Sequence, residues 1–167
     1  RGLNRSMSTE ENLVAWKFEK KPFAAGIVRK KKEVRSFAEK LIEKFDIRPT
    51  DPAVITQSLS GGNAQKIVVA REVDADGKLL IAAQPSRGVD IGAIESIRKI
   101  LNEVKKQGKG ILLVSADLEE ILALSDTIIV MYEGKIRGTI DSEEAGTDNV
   151  GMMMLGESPE KEDKEVS

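Results

Sequence analysis

The sequence contains neither cysteine nor histidine among its 167 residues. Without these two residue types the chain has no thiolate nucleophile, zinc finger, Ser-His-Asp triad or histidine acid-base group, which excludes many hydrolases and metalloenzymes. Its chemistry is therefore limited to carboxylates, hydroxyls and backbone amides. The absence of cysteine also fits a reducing compartment, and we expect a cytoplasmic protein.

A strong charge of one sign and long apolar runs are missing as well. The 26 Lys and Arg residues nearly balance the 28 Asp and Glu residues, for a formal net charge of -2, so no global field attracts nucleic acid. The apolar runs Leu79 to Ala83 and Ile128 to Tyr132 are short, whereas a membrane span needs about 20 residues. We therefore expect no nucleic-acid partner and no direct membrane insertion.

Residues 1–57 predict a helical subdomain. Ser8 and Glu11 have the spacing of a capping box, and the apolar residues from Val34 to Phe45 recur about every 3.6 residues. The basic run Arg29 to Lys32 precedes the second helix. We interpret this run as the solvated start of that helix, with a phosphate or anionic-lipid patch as the alternative.

Residues 58–155 change to short β-rich runs that alternate with longer helical patterns, which is typical of βαβ units around a parallel sheet. The predicted elements are a strand over 78–83, a helix over 91–107, a strand over 110–115, a helix over 117–124 and a hairpin over 127–140 that turns at Glu133-Gly134. Residues 156–167 have too little apolar surface to fold, so they predict a disordered tail.

One loop carries most of the functional information. The string Ser58-Leu59-Ser60-Gly61-Gly62-Asn63-Ala64-Gln65-Lys66 leads directly into an apolar helix. A serine hydroxyl and two glycine amides at a helix N-terminus favour phosphate oxygens, because the positive end of the helix dipole faces them. An ordinary helix cap with flexible glycines is the interpretation that needs no ligand.

The extended string resembles the signature motif of ATP-binding cassette (ABC) ATPases, and Asn63 with Gln65-Lys66 is similar to the variant in sugar and nucleoside importers. The segment 79–90, LLIAAQPSRGVD, resembles the Walker B strand and D-loop of the same family. Residues 110–117 then resemble the strand that ends at the switch, or H-loop. The order of these motifs also matches, and the resemblance extends to about residue 155.

The resemblance implies an α/β fold: the C-terminal part of a P-loop ATPase core, a mostly parallel sheet flanked by helices, preceded by a helical subdomain. It also implies that ATP is shared with another cassette, whose P-loop holds the nucleotide. The residues expected to contribute are Ser58, Leu59, Ser60, Gly61, Gly62, Asn63, Gln65 and Asp90. The implied partners are that other cassette and transmembrane permease subunits, which place the protein on the inner face of the cell membrane.

Three positions depart from the family pattern. Ala83 and Gln84 stand where Walker B usually has an Asp that orders Mg²⁺ and a Glu that polarises water, and Ala116 stands where the switch histidine is usual. Metal and water-positioning groups carry most of the catalysis in phosphoryl transfer, so we expect this cassette's own site to be slow or inactive. Mg²⁺ is then expected only with ATP in the full-length assembly, with no metal site and no tightly bound nucleotide in this chain.

The sequence also has no P-loop pattern of Gly, four residues and Gly-Lys-Ser/Thr. The simplest explanation is a fragment whose P-loop lies upstream, as in the second cassette of a fused two-cassette importer. We expect the fragment alone to be inactive and the parent to hydrolyse ATP coupled to transport. The residues do not decide between a sugar and a nucleoside, although the segment 81–85 favours a nucleoside.

Two other functions remain open. A non-transport ABC ATPase of DNA repair or chromosome organisation has the same signature, but here no long coiled coil and no basic face with aromatics accompany it. A nucleotide-independent α/β interaction module would use Ser60, Gly61 and Gly62 only as a cap. Outside the motif, we expect Trp16 to lie in a helix core or an interface, and Met152 to Met154 to pack a terminal helix.

Overall fold

A computed structural model of the chain describes residues 2–25, 28–75 and 77–157. The helices and strands, in chain order, are α1 (Thr9–Val14), β1 (Ala24–Ala25), β2 (Val28–Arg29), α2 (Lys31–Lys44), a 3₁₀ turn (Thr56–Ser58), α3 (Gly61–Asp74), β3 (Leu79–Ala83), α4 (Ile91–Lys106), β4 (Gly110–Val114), α5 (Leu118–Leu124), β5 (Thr127–Tyr132), β6 (Lys135–Asp141) and α6 (Thr147–Met154). The chain divides into two compact units, one ending at Leu112 and one beginning at Leu113. Most of the predicted tail, residues 158–167, lies outside the described residues.

The predicted capping box forms at the start of α1. The Ser8 hydroxyl accepts from the Glu11 amide, and the Glu11 carboxylate accepts from the Ser8 amide at 3.0 Å. Two of the orphan donors at this helix start are therefore satisfied by side chains. Leu13 of α1 is buried in the core of the first unit.

Helices α1, α2 and α3 share that core. The buried residues of α2 recur with the predicted helical spacing at Val34, Ala38, Leu41 and Ile42. Ile67 and Ala70 of α3 pack against this face. Helices α1 and α2 thus form where the capping box and the apolar spacing predict them, with a short hairpin between them, while the helical subdomain itself stays a prediction. The two-residue strands of this hairpin, β1 and β2, pair antiparallel and have no sequence signal, because proline and glycine interrupt the pattern around them.

Strands β3 and β4 are neighbours in a two-stranded sheet. They are joined through α4, a helical crossover of the kind that parallel neighbours require. Helix α4 buries Ala93, Ile97, Leu101 and Val104 along one side. The α/β fold class and the predicted order of strand, helix and strand are confirmed.

The second unit is built on an antiparallel hairpin. Strands β5 and β6 pair from Thr127 opposite Asp141 to Tyr132 opposite Lys135. Glu133 and Gly134 form the predicted turn with φ values of 48° and 73°, the left-handed region that tight hairpin turns use. Helix α6 covers the hairpin, with Met153 buried, so the predicted packing role of the methionine run is confirmed at Met153.

The expectation that Trp16 lies in a helix core is wrong. Helix α1 ends at Val14, and the Trp16 side chain lies beyond it, 62% exposed. The indole Nε1 donates to the Glu72 carboxylate at 3.0 Å, and the Arg71 guanidinium lies 4.9 Å from the ring centroid. The ring therefore rests on the last turn of α3 through polar contacts, and its role as an interface aromatic stays a prediction.

Candidate functional site

Ser60 is the N-cap of α3, as the loop-to-helix pattern predicts. Its backbone is extended, and its hydroxyl oxygen accepts from the Asn63 amide at 3.3 Å and from the Asn63 side-chain nitrogen at 3.0 Å. A hydroxyl has two acceptor positions and one proton to donate. Because Asn63 occupies both acceptor positions, the Ser60 proton remains available to an acceptor in front of the helix, where the residue is exposed.

The two glycines form the first turn of α3, a helix of 14 residues. Their amides have no acceptor within the helix, since the first four N–H groups of any helix lack one. Gly61 is exposed and Gly62 is buried. The helix start thus presents a hydroxyl proton and an exposed amide at the positive end of its dipole, which suits a phosphate oxygen.

Gly62 also brings α3 close to the start of α4. A Cβ at this position would lie 2.7 Å from the Ala93 Cβ and 3.0 Å from the Asp90 Oδ2. At Gly61 the nearest neighbour to a Cβ would be the Gly88 carbonyl oxygen at 3.4 Å. Glycine at position 62 is therefore required by packing, in addition to any contact with a ligand.

Asp90 is thereby brought beside the glycine turn. Its carboxylate caps α4, where Oδ1 accepts from the Ala93 amide at 2.9 Å. A capping carboxylate favours the helix start both by its hydrogen bond and by its charge. The structure thus joins Asp90 to Gly62, while its contact with a nucleotide stays a prediction.

The other predicted residues of the loop have different environments. Ser58 is exposed, and its hydroxyl donates to the Ile55 carbonyl at 2.8 Å. Leu59 packs against the core shared by α1, α2 and α3. Gln65 is half-buried on α3. Leu59 therefore anchors the loop, and Ser58 satisfies a local carbonyl.

Asn63 connects the loop to a charged group that the sequence does not indicate. The Asn63 Oδ1 accepts from the Arg48 amide at 2.7 Å, and the Arg48 Nε donates to Asp46 at 2.9 Å. Lys66, buried in α3, donates to the Asp46 carbonyl at 2.9 Å. The hydrogen bond from Arg48, together with the nearby charge of Lys66, lowers the pKa of Asp46 below its ordinary value. In the sequence, the only indication of this cluster of Asp46, Arg48 and Lys66 is that Asp46 and Arg48 lie two positions apart.

The three positions that depart from the family pattern carry neither a carboxylate nor an imidazole. Ala83 is the last residue of β3, and Gln84 follows it with φ of 50°, its carbonyl accepting from the Arg87 amide at 3.2 Å. Ala116 is exposed in the second unit. Neither Ala83 nor Gln84 has a carboxylate for Mg²⁺, so the donor set at these positions does not fit the metal. In the parts of the chain that the structure describes, no three Asp or Glu side chains gather as a metal site would require.

Comparison with known proteins decides the family. A guanosine import ATP-binding protein of Bacillus subtilis is 42% identical over 161 residues, which are 96% of this chain and 31% of that protein. A nucleoside import ATP-binding protein of Lactococcus lactis is 39% identical over 93% of this chain, and a glucose import ATP-binding protein of Haloferax volcanii is 41% identical over 93%. The chain belongs to the ATP-binding cassette family.

Solved structures of ABC cassettes have the same fold. A dimeric cassette in a post-hydrolysis state with ADP and Pi matches with a TM-score of 0.69 at 20% identity, over 84% of this chain and 59% of that one. A transporter cassette in its ADP conformation matches with a TM-score of 0.65. No protein-family model matches the chain. The chain spans 31% of the length of the first two import proteins.

In this ABC chain, sequence reasoning identified the Ser60 cap and missed the side chains that support it from a distance. Arg48 contacts Asn63 from 15 residues away. Asn12 and Thr56 are both buried polar residues near the loop. The only sequence signal for Asn12 is an amide beside two apolar residues of a short helix, and many helices without a functional site have the same pattern.

Proposed function

We propose that this chain is part of the ATP-binding subunit of an ABC importer and supplies its signature loop to ATP held by another cassette. The observation that carries the proposal is the geometry of Ser60, whose two acceptor positions are filled by Asn63, so that the hydroxyl is left to act as a donor. Gly61 adds an exposed amide beside it. Both groups donate, as binding of a terminal phosphate requires.

The role of this chain is to bind in trans. An anion bound in front of α3 needs its remaining contacts from elsewhere, and the sequence contains no P-loop to provide them. The other cassette would hold the triphosphate and Mg²⁺, and Ser60 with Gly61 and Gly62 would close over the terminal phosphate. Dipole and hydrogen bonds are strongest in such a site because closure excludes water.

The cassette's own nucleotide site would be slow or inactive. Ala83 and Gln84 supply no carboxylate, and Ala116 supplies no imidazole. A two-cassette subunit would then have one hydrolytic site and one regulatory site, because the signature loop of this chain serves the ATP site on the other cassette. The asymmetry rests on these three side chains and on the intact Ser60 turn.

The transported substrate would be a nucleoside or a simple sugar. The named relatives import guanosine, nucleosides and glucose, and they are 42%, 39% and 41% identical to this chain. Permease subunits would then be the membrane partner, contacting the surface of residues 7–57 from the cytoplasmic side. In the described part of the chain, no helix has the length and hydrophobicity needed to cross a membrane.

The proposal is tested by Ser60→Arg in the complete subunit assembled with its permease. A guanidinium in place of the hydroxyl fills the space in front of α3, so ATP hydrolysis and transport should be abolished. Gly62→Asp should also abolish both, because its carboxylate would oppose the phosphate charge and its Cβ would lie 2.7 Å from the Ala93 Cβ, so Ser60→Arg is the variant that discriminates. Thr139→Arg is the matched control, since Thr139 is exposed on β6 and lies outside the surface of residues 7–57. Hydrolysis at the wild-type rate by Ser60→Arg would show that the loop has no nucleotide role.

A further inference from the structure

Two buried polar side chains meet behind the signature loop. Asn12 of α1 is 2% exposed and Thr56 is 3% exposed. The Asn12 nitrogen donates to the carbonyls of Asn4 at 2.9 Å and Ser8 at 3.0 Å, and lies 3.4 Å from the Thr56 hydroxyl. The Asn12 oxygen accepts from the Asn4 amide at 2.9 Å. Every hydrogen-bonding group of this buried amide is therefore used.

Thr56 also forms hydrogen bonds to residues 4–7. Its hydroxyl donates to the Asn4 carbonyl at 2.9 Å, and its amide donates to the Met7 carbonyl at 3.0 Å. The next amide, of Gln57, donates to the Arg5 carbonyl at 3.0 Å. Residues 4–7, helix α1 and the turn at Thr56 are thus held together by bonds between segments far apart in sequence.

The turn that these bonds hold leads directly to the phosphate-facing serine. Thr56 begins the 3₁₀ turn, and its carbonyl accepts from the Leu59 amide at 3.3 Å. Leu59 is packed against the helical core, and Ser60 follows it as the cap of α3. The position of Ser60 is therefore fixed by Thr56 and Leu59, which precede it in the chain, and by α3, which follows it.

We propose that Asn12 and Thr56 are positioning residues that hold the signature loop, residues 58–60, in the orientation that contacts ATP. The expected effect on hydrolysis rests on the proposed function, whereas the expected effect on the orientation of the loop does not depend on it. Neither side chain lies at the helix start itself. Removing the Thr56 hydroxyl deletes its hydrogen bond to the Asn4 carbonyl, one of the links between the turn and residues 4–7, which favours opening of the turn. Displacement of a contact by about 1 Å can reduce a rate ~100-fold.

The decisive variant is Thr56→Val in the complete subunit, because valine keeps the shape of threonine and removes only the hydroxyl. Hydrogen exchange without nucleotide should accelerate by about tenfold or more at the amides of Ser58 and Leu59, with little change in α2 and α4. ATP hydrolysis should lose about tenfold or more in kcat with little change in KM, because the other cassette's P-loop holds the nucleotide.

Three further variants make the test specific. Thr56→Ser restores the hydroxyl and should restore both exchange and kcat. Thr139→Val makes the same chemical change at an exposed position of β6, outside the surface of residues 7–57, and should alter neither. Asn12→Asp removes the amide donors and buries a carboxylate, so it should have a larger effect than Thr56→Val.

Wild-type exchange and kcat in Thr56→Val would overturn the inference, as would failure of Thr56→Ser to restore them. An equal rise of exchange in α2 and α4 would also overturn it, since the pair would then stabilise the fold without positioning the loop. Accelerated exchange confined to residues 58–60, found together with wild-type hydrolysis by Ser60→Arg, would support the positioning of the loop and refute the proposed function alone.

Discussion

The two glycines after Ser60 have different neighbours, and stability measurements can separate them. At Gly62 a methyl group would lie 2.7 Å from the Ala93 Cβ, so Gly62→Ala must displace α4 or α3. We expect a loss of about 1–3 kcal/mol in the free energy of unfolding, the usual cost of overpacking. Urea unfolding of the wild-type and variant chains measures it.

Gly61→Ala is the matched control. Its nearest non-local contact would be a carbonyl oxygen at 3.4 Å, and alanine is the better helix former by about 1 kcal/mol. We expect unchanged or slightly higher stability. A larger loss in Gly61→Ala than in Gly62→Ala would contradict the packing of α3 against the start of α4.

Asp46 gives the site a dependence on acid pH. The hydrogen bond from Arg48 and the charge of Lys66 keep the pKa of Asp46 below its ordinary value of 3.8. The carboxylate therefore contributes stability above that ordinary value, and the contribution is lost as the pH falls through the lowered pKa. The side chain is exposed, so the effect is small.

Asp46→Asn tests this contribution. Asparagine tolerates the left-handed backbone at position 46, where φ is 47°, but carries no charge. We expect the variant to be less stable than the wild type at about pH 7, with a difference that shrinks as the pH falls through the lowered pKa of Asp46. A stability difference that grows toward low pH would contradict a stabilising role of the charged Asp46 carboxylate.

At the level of single residues, sequence was sufficient where the signal is local. The Ser60 cap and the Ser8–Glu11 capping box both follow from residue types three positions apart. The contact of Gly62 with Ala93 spans two helices, and the bond from Arg48 to Asn63 joins a loop to a helix. Neither contact has a local pattern, because each depends on how α3 packs against its neighbours.

Among the elements, α4 has a cap that can be tested directly. Asp90 accepts from the Ala93 amide at 2.9 Å, and losing such a cap typically costs about 1 kcal/mol. We expect Asp90→Ala to lower the free energy of unfolding by that amount and Asp90→Ser to retain most of it. Equal losses in both variants would mean that the carboxylate acts through its charge on the helix rather than by capping.

The elements with strong periodicity were predicted well and the shortest ones were not. Helix α2 has its apolar face as expected, and α4 matches the predicted helix to within one residue. The hairpin of β1 and β2 consists of two-residue strands, too short for any alternation to show. Trp16 was misplaced for a related reason: α1 ends after six residues, so the tryptophan falls beyond the helix that its neighbours predict.

For the molecule as a whole, the chain should release no phosphate from ATP when alone. It has no P-loop in its sequence, and Ala83, Gln84 and Ala116 replace the groups that would order the metal and the water. We expect steady-state phosphate release at the level of a buffer blank. Turnover of about one per second that survives repurification and is abolished by substitutions within the chain would contradict this expectation.

The central claim is that Ser60 lies against ATP bound by another cassette, and the lack of cysteine in this chain allows a direct measurement. Ser60→Cys introduces one thiol whose modification by a soluble reagent can be followed by mass, with Ser36→Cys as the exposed control. We predict that ATP and a cassette with an intact P-loop, added together to the cassette that contains this chain, slow modification at position 60 by about tenfold or more, as expected when closure excludes water. ATP alone, the second cassette alone, and the control position should show no slowing. Equal reactivity at position 60 under all conditions, or full protection by ATP without the second cassette, would contradict the account.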